Sequence, residues 1–255
     1  MSFKPGLAYR INHILWSSLD LFFPPSCGGC GKLGSRWCQA CQQRLTPLPF
    51  PLCDVCGKPQ PQPGICNECK TTRPAFSALR SCFVYTEPAR PALIRLKYHR
   101  EIGLGEALAW HLAVYLDELR WQADLILPVP LSEQRFVERG YNQVDLIAHS
   151  LARLVDWQYA PAGLRRIRHT DSQVGLNVTA RKINVKGAFQ AESRIVAGKT
   201  ILLIDDVTTT GSTLESSSWA LLQARAASVY ALTFARALPK FGYDHNSSIP
   251  SHLLS

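Results

Sequence analysis

The hydrophobic positions of residues 76–238 follow two alternating patterns. Short apolar runs predict β-strands at residues 79–85, 125–129, 200–204 and 228–235. Apolar residues at helical spacing predict helices at residues 88–98, 103–119, 144–154 and 213–226. Because strands and helices alternate and the strands are apolar, the pattern predicts an α/β fold in which helices cover both faces of a parallel sheet.

The two ends of the chain differ from this pattern. Residues 11–23 are largely apolar, but Asn12, His13 and Asp20 interrupt them and two prolines follow. This predicts an amphipathic lead-in helix within residues 1–26 rather than a signal peptide. Residues 239–255 have no hydrophobic period and are predicted to form a flexible tail. No run of eighteen apolar residues occurs, so no membrane span is predicted.

Residues 27–72 hold eight of the nine cysteines, in a segment that is rich in proline and glycine and has no regular period. The eight form four Cys-x-x-Cys pairs, namely Cys27 and Cys30, Cys38 and Cys41, Cys53 and Cys56, and Cys66 and Cys69. Two such pairs can hold one zinc ion tetrahedrally, at about 2.3 Å from each sulfur. The spacing therefore predicts two structural zinc sites, made of consecutive or of interleaved pairs. Cys82 is predicted to be a buried thiol of the first strand.

A disulfide framework is the alternative for these cysteines. It requires an oxidising compartment, whereas no secretion signal is predicted and a reducing cytoplasm disfavours disulfides. We therefore expect zinc and a cytoplasmic protein. A segment so poor in core-forming residues would need metal binding, on the order of 10 kcal/mol per site, in order to fold.

The charge of the chain is uneven. Hydrophobic residues make up 46% and charged residues 18%, which excludes overall disorder, and the net charge is +9. Between residues 160 and 200 eight basic residues oppose two acidic ones, a net +6. The eight are Arg165, Arg166, Arg168, Arg181, Lys182, Lys186, Arg194 and Lys199. This stretch is either a solvated face or an anion site for phosphates or a nucleic-acid backbone.

Residues 201–213 carry the strongest chemical signal. An apolar strand is followed by the acid pair Asp205 and Asp206, and then by a loop of five Ser or Thr residues and one Gly that opens a helix. Such a loop can direct backbone N–H groups and hydroxyls at a phosphate, with the positive end of the helix dipole behind them. The acid pair suits two adjacent ribose hydroxyls. The alternative is an acid pair in a turn followed by an ordinary helix cap.

This stretch resembles the phosphoribosyl pyrophosphate (PRPP) signature of type I phosphoribosyltransferases. The resemblance implies that Asp205 and Asp206 contact the ribose hydroxyls and that the following loop holds the 5′-phosphate. The implied ligand-binding residues are Asp205, Asp206, Val207, Thr208, Thr209, Thr210, Gly211, Ser212 and Thr213. Purine-salvage members carry an acidic residue where this chain has Thr209, so the loop is closer to the orotate-type pattern.

Further motifs lie outside this signature, at residues 96–98, 127–131, 135–143, 168–176 and 181–189. Together with the cysteine-rich front they resemble the ComF family over roughly residues 20–236. The resemblance implies a double zinc ribbon at residues 27–72, followed by a type I phosphoribosyltransferase-like domain at residues 76–238. It also implies that Arg135 and Arg139 neutralise the diphosphate of PRPP, with Mg²⁺ as a cofactor if the site is active.

Two functions are expected from this resemblance. The first is a cytoplasmic competence protein that acts on external single-stranded DNA during natural transformation, with a helicase or recombination protein as a partner. Its basic stretch would contact the strand and Trp37, Tyr98 or Trp157 would stack on bases. The alternative is an active phosphoribosyltransferase that transfers ribose-5-phosphate from PRPP to an unidentified acceptor without touching DNA. In that case Asp205, Asp206, Arg135 and Arg139 are the catalytic candidates, and Lys97 is an alternative to the two arginines for stabilising the departing pyrophosphate.

Overall fold

A computed structural model of the protein describes residues 24–167 and 187–238. Only residues 24–26 of the predicted lead-in helix are among the described residues. The predicted tail lies entirely outside them. So do four basic residues of the 160–200 stretch, Arg168, Arg181, Lys182 and Lys186. The predicted domain boundaries at residues 27–72 and 76–238 stay predictions.

Seven strands are formed by the described residues. They are β1 (Ala78–Val84), β2 (Leu125–Pro128), β3 (Gln158–Tyr159), β4 (Leu164–Arg166), β5 (Phe189–Ala191), β6 (Thr200–Thr208) and β7 (Ser228–Arg236). Five of them form one parallel sheet in the order β1-β7-β6-β2-β3. The other two, β4 and β5, form a separate antiparallel pair.

Eight α-helices accompany these strands in the described residues. They are α1 (Gln39–Arg44), α2 (Asn67–Thr71), α3 (Ala89–Tyr98), α4 (Leu104–Leu119), α5 (Glu133–Arg139), α6 (Gln143–Val155), α7 (Ser193–Val196) and α8 (Ser212–Gln223). None of the helices in residues 24–167 and 187–238 is long and apolar enough to cross a membrane.

Side chains of β6 alternate between the two faces of the sheet. Leu202 and Ile204 join a core that contains the buried leucines of α3, α4 and α6. Ile201 and Leu203 join a second core, on the other face, with Leu214 of α8. The sheet is therefore covered on both faces, and the predicted α/β fold class is confirmed.

Two predicted elements differ in extent from those observed. The strand expected at residues 200–204 continues to Thr208, because Asp205, Val207 and Thr208 still pair with β7. The acid pair therefore lies inside the strand rather than after it. The residues between Val129 and Gln143, where the hydrophobic pattern predicts neither a strand nor a helix, contain α5, which Ser132 caps and Gly140 ends. A helix of seven residues is too short to show a clear hydrophobic period.

The cysteine-rich segment wraps around the outer edge of β1. The backbone N–H of Val84 donates to the carbonyl of Thr46 at 2.8 Å, and that of Leu79 donates to Val55 at 2.7 Å. Along the chain just before this edge contact, Leu45 packs in the core on the α3–α4 face of the sheet. Beyond it, Cys53 and Val55 pack in the core on the α8 face. One cysteine cluster thus lies on each side of the sheet, and the segment between them covers the open edge.

Candidate functional site

Asp205 and Asp206 lie near the carboxyl end of β6, and the structure adds Lys97 of α3 to them. The Lys97 ammonium forms an ion pair with the Asp206 carboxylate, and both side chains are largely buried. Each carboxylate also accepts a local backbone hydrogen bond, Asp205 from the N–H of Asp206 at 2.8 Å and Asp206 from that of Val207 at 2.9 Å. The site is therefore a triad of two carboxyls and one amine.

The two carboxyls have opposite pKa shifts. Burial and the neighbouring charge of Asp206 raise the pKa of Asp205 well above its usual range. Burial also acts to raise the pKa of Asp206, but the positive charge of Lys97 outweighs it and lowers that pKa. Conversely, burial acts to lower the pKa of Lys97, and the charge of Asp206 outweighs it and raises that pKa. One carboxyl is thus kept charged by Lys97, while the other favours its protonated form.

The loop after β6 brings hydroxyl groups to the start of α8. Gly211 takes a left-handed φ of 83° and is the residue before the helix. The Thr210 hydroxyl is 2.7 Å from that of Ser212 and also accepts from the Ser212 N–H at 3.3 Å. The Thr208 hydroxyl is buried and has no hydrogen-bond partner within the described part of the chain. An orphaned buried hydroxyl at the end of β6, before the loop that opens α8, fits a ligand that accepts hydrogen bonds, such as a phosphate.

The two predicted arginines occupy different settings. The Arg139 side chain is buried, and its guanidinium donates to Gln143 at 2.7 Å and to the Tyr98 hydroxyl at 3.2 Å. Arg166 of β4 is partly buried; burial and then the charge of Arg135 lower its pKa, while the charge of Asp205 acts to raise it. Arg166 is therefore within electrostatic range of both Arg135 and Asp205. A role for Arg135 and Arg139 toward a diphosphate stays a prediction.

Sequence reasoning missed the pairing of Lys97 with Asp206 and the position of Arg166. Lys97 belongs to a motif at residues 96–98, and Arg166 is one basic residue of a longer stretch. Neither position has a local pattern that points to the acid pair, because only the tertiary fold brings α3 and β4 to the end of β6.

The aromatic residues expected to stack on bases are less available than predicted. The Trp37 ring packs edge-on against His111 and Phe234, at 5.3 and 6.3 Å between ring centres. Trp157 is partly buried against the same core. Tyr98 is 65% exposed, but the Arg139 guanidinium lies 4.8 Å above its ring. Trp37 is therefore not a free stacking surface.

The eight paired cysteines gather into two clusters, in chain order. One contains Cys27, Cys30, Cys38 and Cys41, the other Cys53, Cys56, Cys66 and Cys69, and the sulfur atoms within each lie within 4.8 Å of one another. A tetrahedral zinc site with bonds of about 2.3 Å has sulfurs about 3.8 Å apart. The Cys30–Cys38 and Cys56–Cys66 sulfur distances are 3.7 and 3.8 Å. Both clusters therefore fit zinc.

The two clusters repeat the same local construction. The third cysteine donates its backbone N–H to the first sulfur, at 3.4 Å from Cys38 to Cys27 and at 3.3 Å from Cys66 to Cys53. Burial acts to raise the pKa of Cys27 and of Cys53, but such backbone donors outweigh it. The pKa of each of these two thiols is lowered to about 6. A left-handed glycine follows each first pair, and its φ is 78° at residue 31 and 63° at residue 57. None of the nine cysteines forms a disulfide in the described residues, and Cys82 is buried as predicted.

The second cluster is flanked by two arginines of the sheet. Arg236, at the end of β7, donates to the carbonyl of Cys56. Arg80 of β1 donates to the carbonyls of Cys53 and Asp54 at 3.2 and 3.1 Å. This pair of arginines was not predicted, because nothing in the local sequence of either strand distinguishes it.

Comparison with known proteins finds similarity both in the cysteine-rich segment and over most of the chain. Residues 18–70 match the family model of the double zinc ribbon domain. The DNA utilization protein YhgH of Escherichia coli (strain K12) is 33% identical over 207 residues, 79% of this chain and 90% of that protein. Competence protein F of Haemophilus influenzae is 32% identical over 208 residues, 78% of this chain and 90% of that protein.

A solved adenine phosphoribosyltransferase is similar over 55% of this chain and 74% of that protein, with 18% identity and a TM-score of 0.35. At that score the likeness carries no weight for the site.

The fold and its clusters define a zinc-ribbon protein with a parallel α/β sheet, and the zinc is structural. Four cysteine sulfurs fill each tetrahedron and leave no position open for a substrate. Given a relative that is one-third identical over nine-tenths of its length, the chain belongs to the ComF family, as its motifs predicted.

Proposed function

We propose that this protein binds PRPP, or a related phosphoribosyl ligand, at the carboxyl end of β6 and serves the use of external DNA in the cytoplasm. The observation that carries the binding site is the orphaned, buried hydroxyl of Thr208, which lies in the sequence between the acid pair and the left-handed Gly211. The names of the relatives support the role in DNA use, since they are called competence and DNA utilization proteins.

Each part of the ligand has a candidate partner. The loop from Thr208 to Thr213 would receive the 5′-phosphate on its hydroxyls and at the start of α8. Asp205 and Asp206 would hold the two ribose hydroxyls, and a protonated Asp205 could donate a hydrogen bond where an ionised one could only accept. Arg135 and Arg166 would face the diphosphate. Mg²⁺, when bound with PRPP, would neutralise part of the diphosphate charge.

Calorimetric titration with PRPP and Mg²⁺ tests this site. We expect heat of binding with the unmodified chain and at least a tenfold weaker affinity for Asp205→Asn/Asp206→Asn. Asp117→Asn is the matched control, because Asp117 is an exposed carboxylate of α4, away from the acid pair. The proposal fails if the unmodified chain gives no heat, or if the double variant binds like the control.

Direct binding of single-stranded DNA is a separate part of the proposal. Its support is the positive charge of residues 160–200, of which Arg165, Arg166, Arg194 and Lys199 are described. Counterion release makes the logarithm of the affinity fall linearly with the logarithm of salt, by about 0.7 per phosphate contacted on a single strand. An oligonucleotide titration at several salt concentrations should show this slope. An affinity that is independent of salt would contradict a contact through the basic stretch.

The double acid variant separates the two roles in cells. We expect Asp205→Asn/Asp206→Asn to abolish the use of external DNA while binding of a single-stranded oligonucleotide persists. If neither changes, the acid pair has no part in the function.

An active phosphoribosyltransferase is the second candidate, favoured by Arg166, which is within electrostatic range of Asp205 and of Arg135. In that reaction the bond from C1 of the ribose to pyrophosphate breaks and a bond from C1 to the acceptor forms. Pyrophosphate release from PRPP and Mg²⁺, measured with and without added nucleobases, tests for it. Binding of PRPP without any release of pyrophosphate would exclude turnover with those acceptors.

A further inference from the structure

Arg236 is a buried cation with little to compensate it. Its side chain is only 4% exposed at the end of β7. One guanidinium nitrogen donates to the Cys56 carbonyl, and Nε has no hydrogen-bond partner among residues 24–167 and 187–238. No carboxylate of these ranges forms an ion pair with it. A buried charge in such a setting destabilises a fold unless an opposite charge lies close by.

A second cation reaches the same turn of the chain. Arg80 is half-buried on β1, and its guanidinium donates to the carbonyls of Cys53, Leu79 and Asp54 at 2.9 to 3.2 Å. Two arginines therefore hold the backbone of the first Cys-x-x-Cys pair of this cluster. Apart from the exposed carboxylate of Asp54, the groups of this turn and its cluster that can become negative are the four thiols of Cys53, Cys56, Cys66 and Cys69.

The charge of this cluster depends on the metal. Four thiolates around Zn²⁺ carry a net charge of −2, whereas four protonated thiols carry none. We propose that Arg236 and Arg80 are the counter-charges of the second zinc site, so that zinc there and the end of β7 form one charge-compensated unit. Zinc binding stabilises the buried guanidinium, and by linkage the guanidinium strengthens zinc binding.

This unit adjoins the start of the threonine-rich loop. Arg236 and Thr208 are partners in the register of β7 and β6. The next residue, Ala237, donates its N–H to the Thr208 carbonyl at 2.9 Å, and Tyr85 donates its N–H to the Arg236 carbonyl at 2.8 Å. Loss of zinc from the second site leaves Arg236 uncompensated and loosens these strand-end hydrogen bonds.

The first zinc site has a different kind of arginine and supplies the matched control. Arg95 contacts the carbonyl of Cys27 at 3.4 Å, as Arg236 contacts that of Cys56. It also pairs with Glu101 at 3.5 Å, and both side chains are 29% exposed. Because Arg95 has solvent and a carboxylate of its own, the charge of the first zinc site matters little to it.

Zinc competition with a chromophoric chelator tests the proposal on the full chain with Arg236→Met, Arg80→Met and Arg95→Met. Alkylation of cysteines after partial chelation, followed by mass spectrometry, identifies which cluster has lost its zinc. We expect Arg236→Met to weaken zinc binding at the second site about tenfold or more, as loss of an outer partner of a metal ligand commonly does. Arg80→Met should act in the same direction, and Arg95→Met should leave both sites within about twofold of the unmodified chain.

Zinc release with equal ease from the Arg236→Met and Arg95→Met variants would overturn the proposal, and so would equal weakening of both sites by Arg236→Met. If Arg236→Met does not fold, the half-buried Arg80 and the charge-retaining Arg236→Lys decide the question. Arg80→Met must then weaken the second site, and Arg236→Lys must weaken it less than Arg80→Met does.

Hydrogen exchange of the unmodified chain gives a second readout. Removal of zinc from the second site should raise exchange at the amides of Tyr85 and Ala237, and removal from the first site alone should not. Unchanged exchange at both amides would contradict the link to the strand end. None of these measurements uses PRPP or DNA, so their outcome tests the role of the arginines separately from the proposed function.

Discussion

The acid pair of β6 places two identical side chains in opposite electrostatic states. Asp206 has Lys97 beside it, and Asp205 has the charge of Asp206 instead. The first arrangement favours the charged carboxylate and the second opposes it. Neighbouring residues of one strand therefore contribute to stability with opposite signs, and both contributions are lost at low pH.

Asp205→Asn should stabilise the protein at pH 7, by about 1 kcal/mol or more for each unit by which the pKa is raised. Asparagine is a neutral replacement for a carboxyl that folding forces toward its protonated form. Because the folded pKa is raised, the unmodified chain has its full stability below the unfolded pKa of about 4 and loses it as the pH rises. The gain measured by urea unfolding should therefore disappear near pH 4. Asp206→Asn should instead destabilise at pH 7, and a same-signed effect of both variants would contradict this account.

Lys97→Met should destabilise the fold by about 3–5 kcal/mol, because it leaves the Asp206 carboxylate buried without its cation. The lowered pKa of Asp206 provides stability above the unfolded pKa of about 4, which is lost as the pH falls through the folded pKa. The deficit of the variant should shrink over the same range. Arg44→Met is the control, since the Arg44–Glu87 pair is exposed and is worth under about 1 kcal/mol. Urea unfolding measures both, and the double variant Lys97→Met/Asp206→Asn should recover much of the loss.

The first Cys-x-x-Cys pair of each zinc site has the same local form, but the surroundings of the glycine that follows the pair differ between the two sites. A Cβ added to Gly57 would lie 2.2 Å from the backbone carbonyl oxygen of Leu79. One added to Gly31 would meet the end of the Arg95 side chain at 2.8 Å, and that side chain can move. The repeated motif is thus docked rigidly on β1 at the second site and loosely on α3 at the first.

Gly57→Ala should therefore destabilise the protein by more than about 3 kcal/mol and lower its zinc content from two ions toward one. Gly31→Ala should cost about 1–2 kcal/mol, mainly the strain of a left-handed alanine, and keep both ions. Urea unfolding and elemental analysis of zinc per chain measure the two effects. Equal behaviour of the variants would show that the contact with Leu79 is unimportant.

Gly211 provides a similar comparison at the phosphate loop. Its φ of 83° is strained for alanine, and an added Cβ would meet only ordinary contacts, the nearest 3.5 Å away on Leu79. Gly211→Ala should cost about 1–2 kcal/mol and weaken PRPP binding in calorimetry. Gly198→Ala, at a φ of 71° with open space around it, should show the same loss of stability and unchanged binding. A Gly211→Ala variant that binds normally would contradict the proposed role of the loop.

In the molecule as a whole, the cysteine-rich segment closes the sheet at β1. Thr46 and Val55 supply the acceptors for an edge that would otherwise present unpaired backbone N–H groups. Each zinc cluster then anchors this segment to a different face. The module is therefore part of the packing of the α/β sheet as well as a pair of metal sites.

A chain that begins at residue 73 should consequently associate through the uncovered β1. We expect size-exclusion chromatography with light scattering to show oligomers or aggregates for this truncated chain, and a smaller species for the full chain at the same concentration. A stable, monodisperse monomer of the truncated chain would contradict the idea that the module protects this edge.

The sequence predicted the long elements and the metal ligands, but not the contacts between distant elements. Hydrophobic period identifies α4 and β7 because each spans many residues, whereas β3 has only two and β4 only three. Spacing identifies the zinc cysteines because the two members of each Cys-x-x-Cys pair lie only three positions apart in the sequence. The partners of Asp206 and Cys56, in contrast, are Lys97 and Arg236, which only the tertiary fold brings near.

The bond between Arg236 and Cys56 joins residues that lie 180 positions apart. During synthesis the Cys53–Cys56 pair leaves the ribosome well before β7 does. In the sheet, however, β7 lies between β1 and β6. The four cysteines of this site can gather around zinc long before Arg236, the later-made of the two arginines that hold the Cys53–Cys56 turn, exists. This zinc site is therefore made well before its docking on β7 is complete, and we expect zinc to hold its shape during the interval.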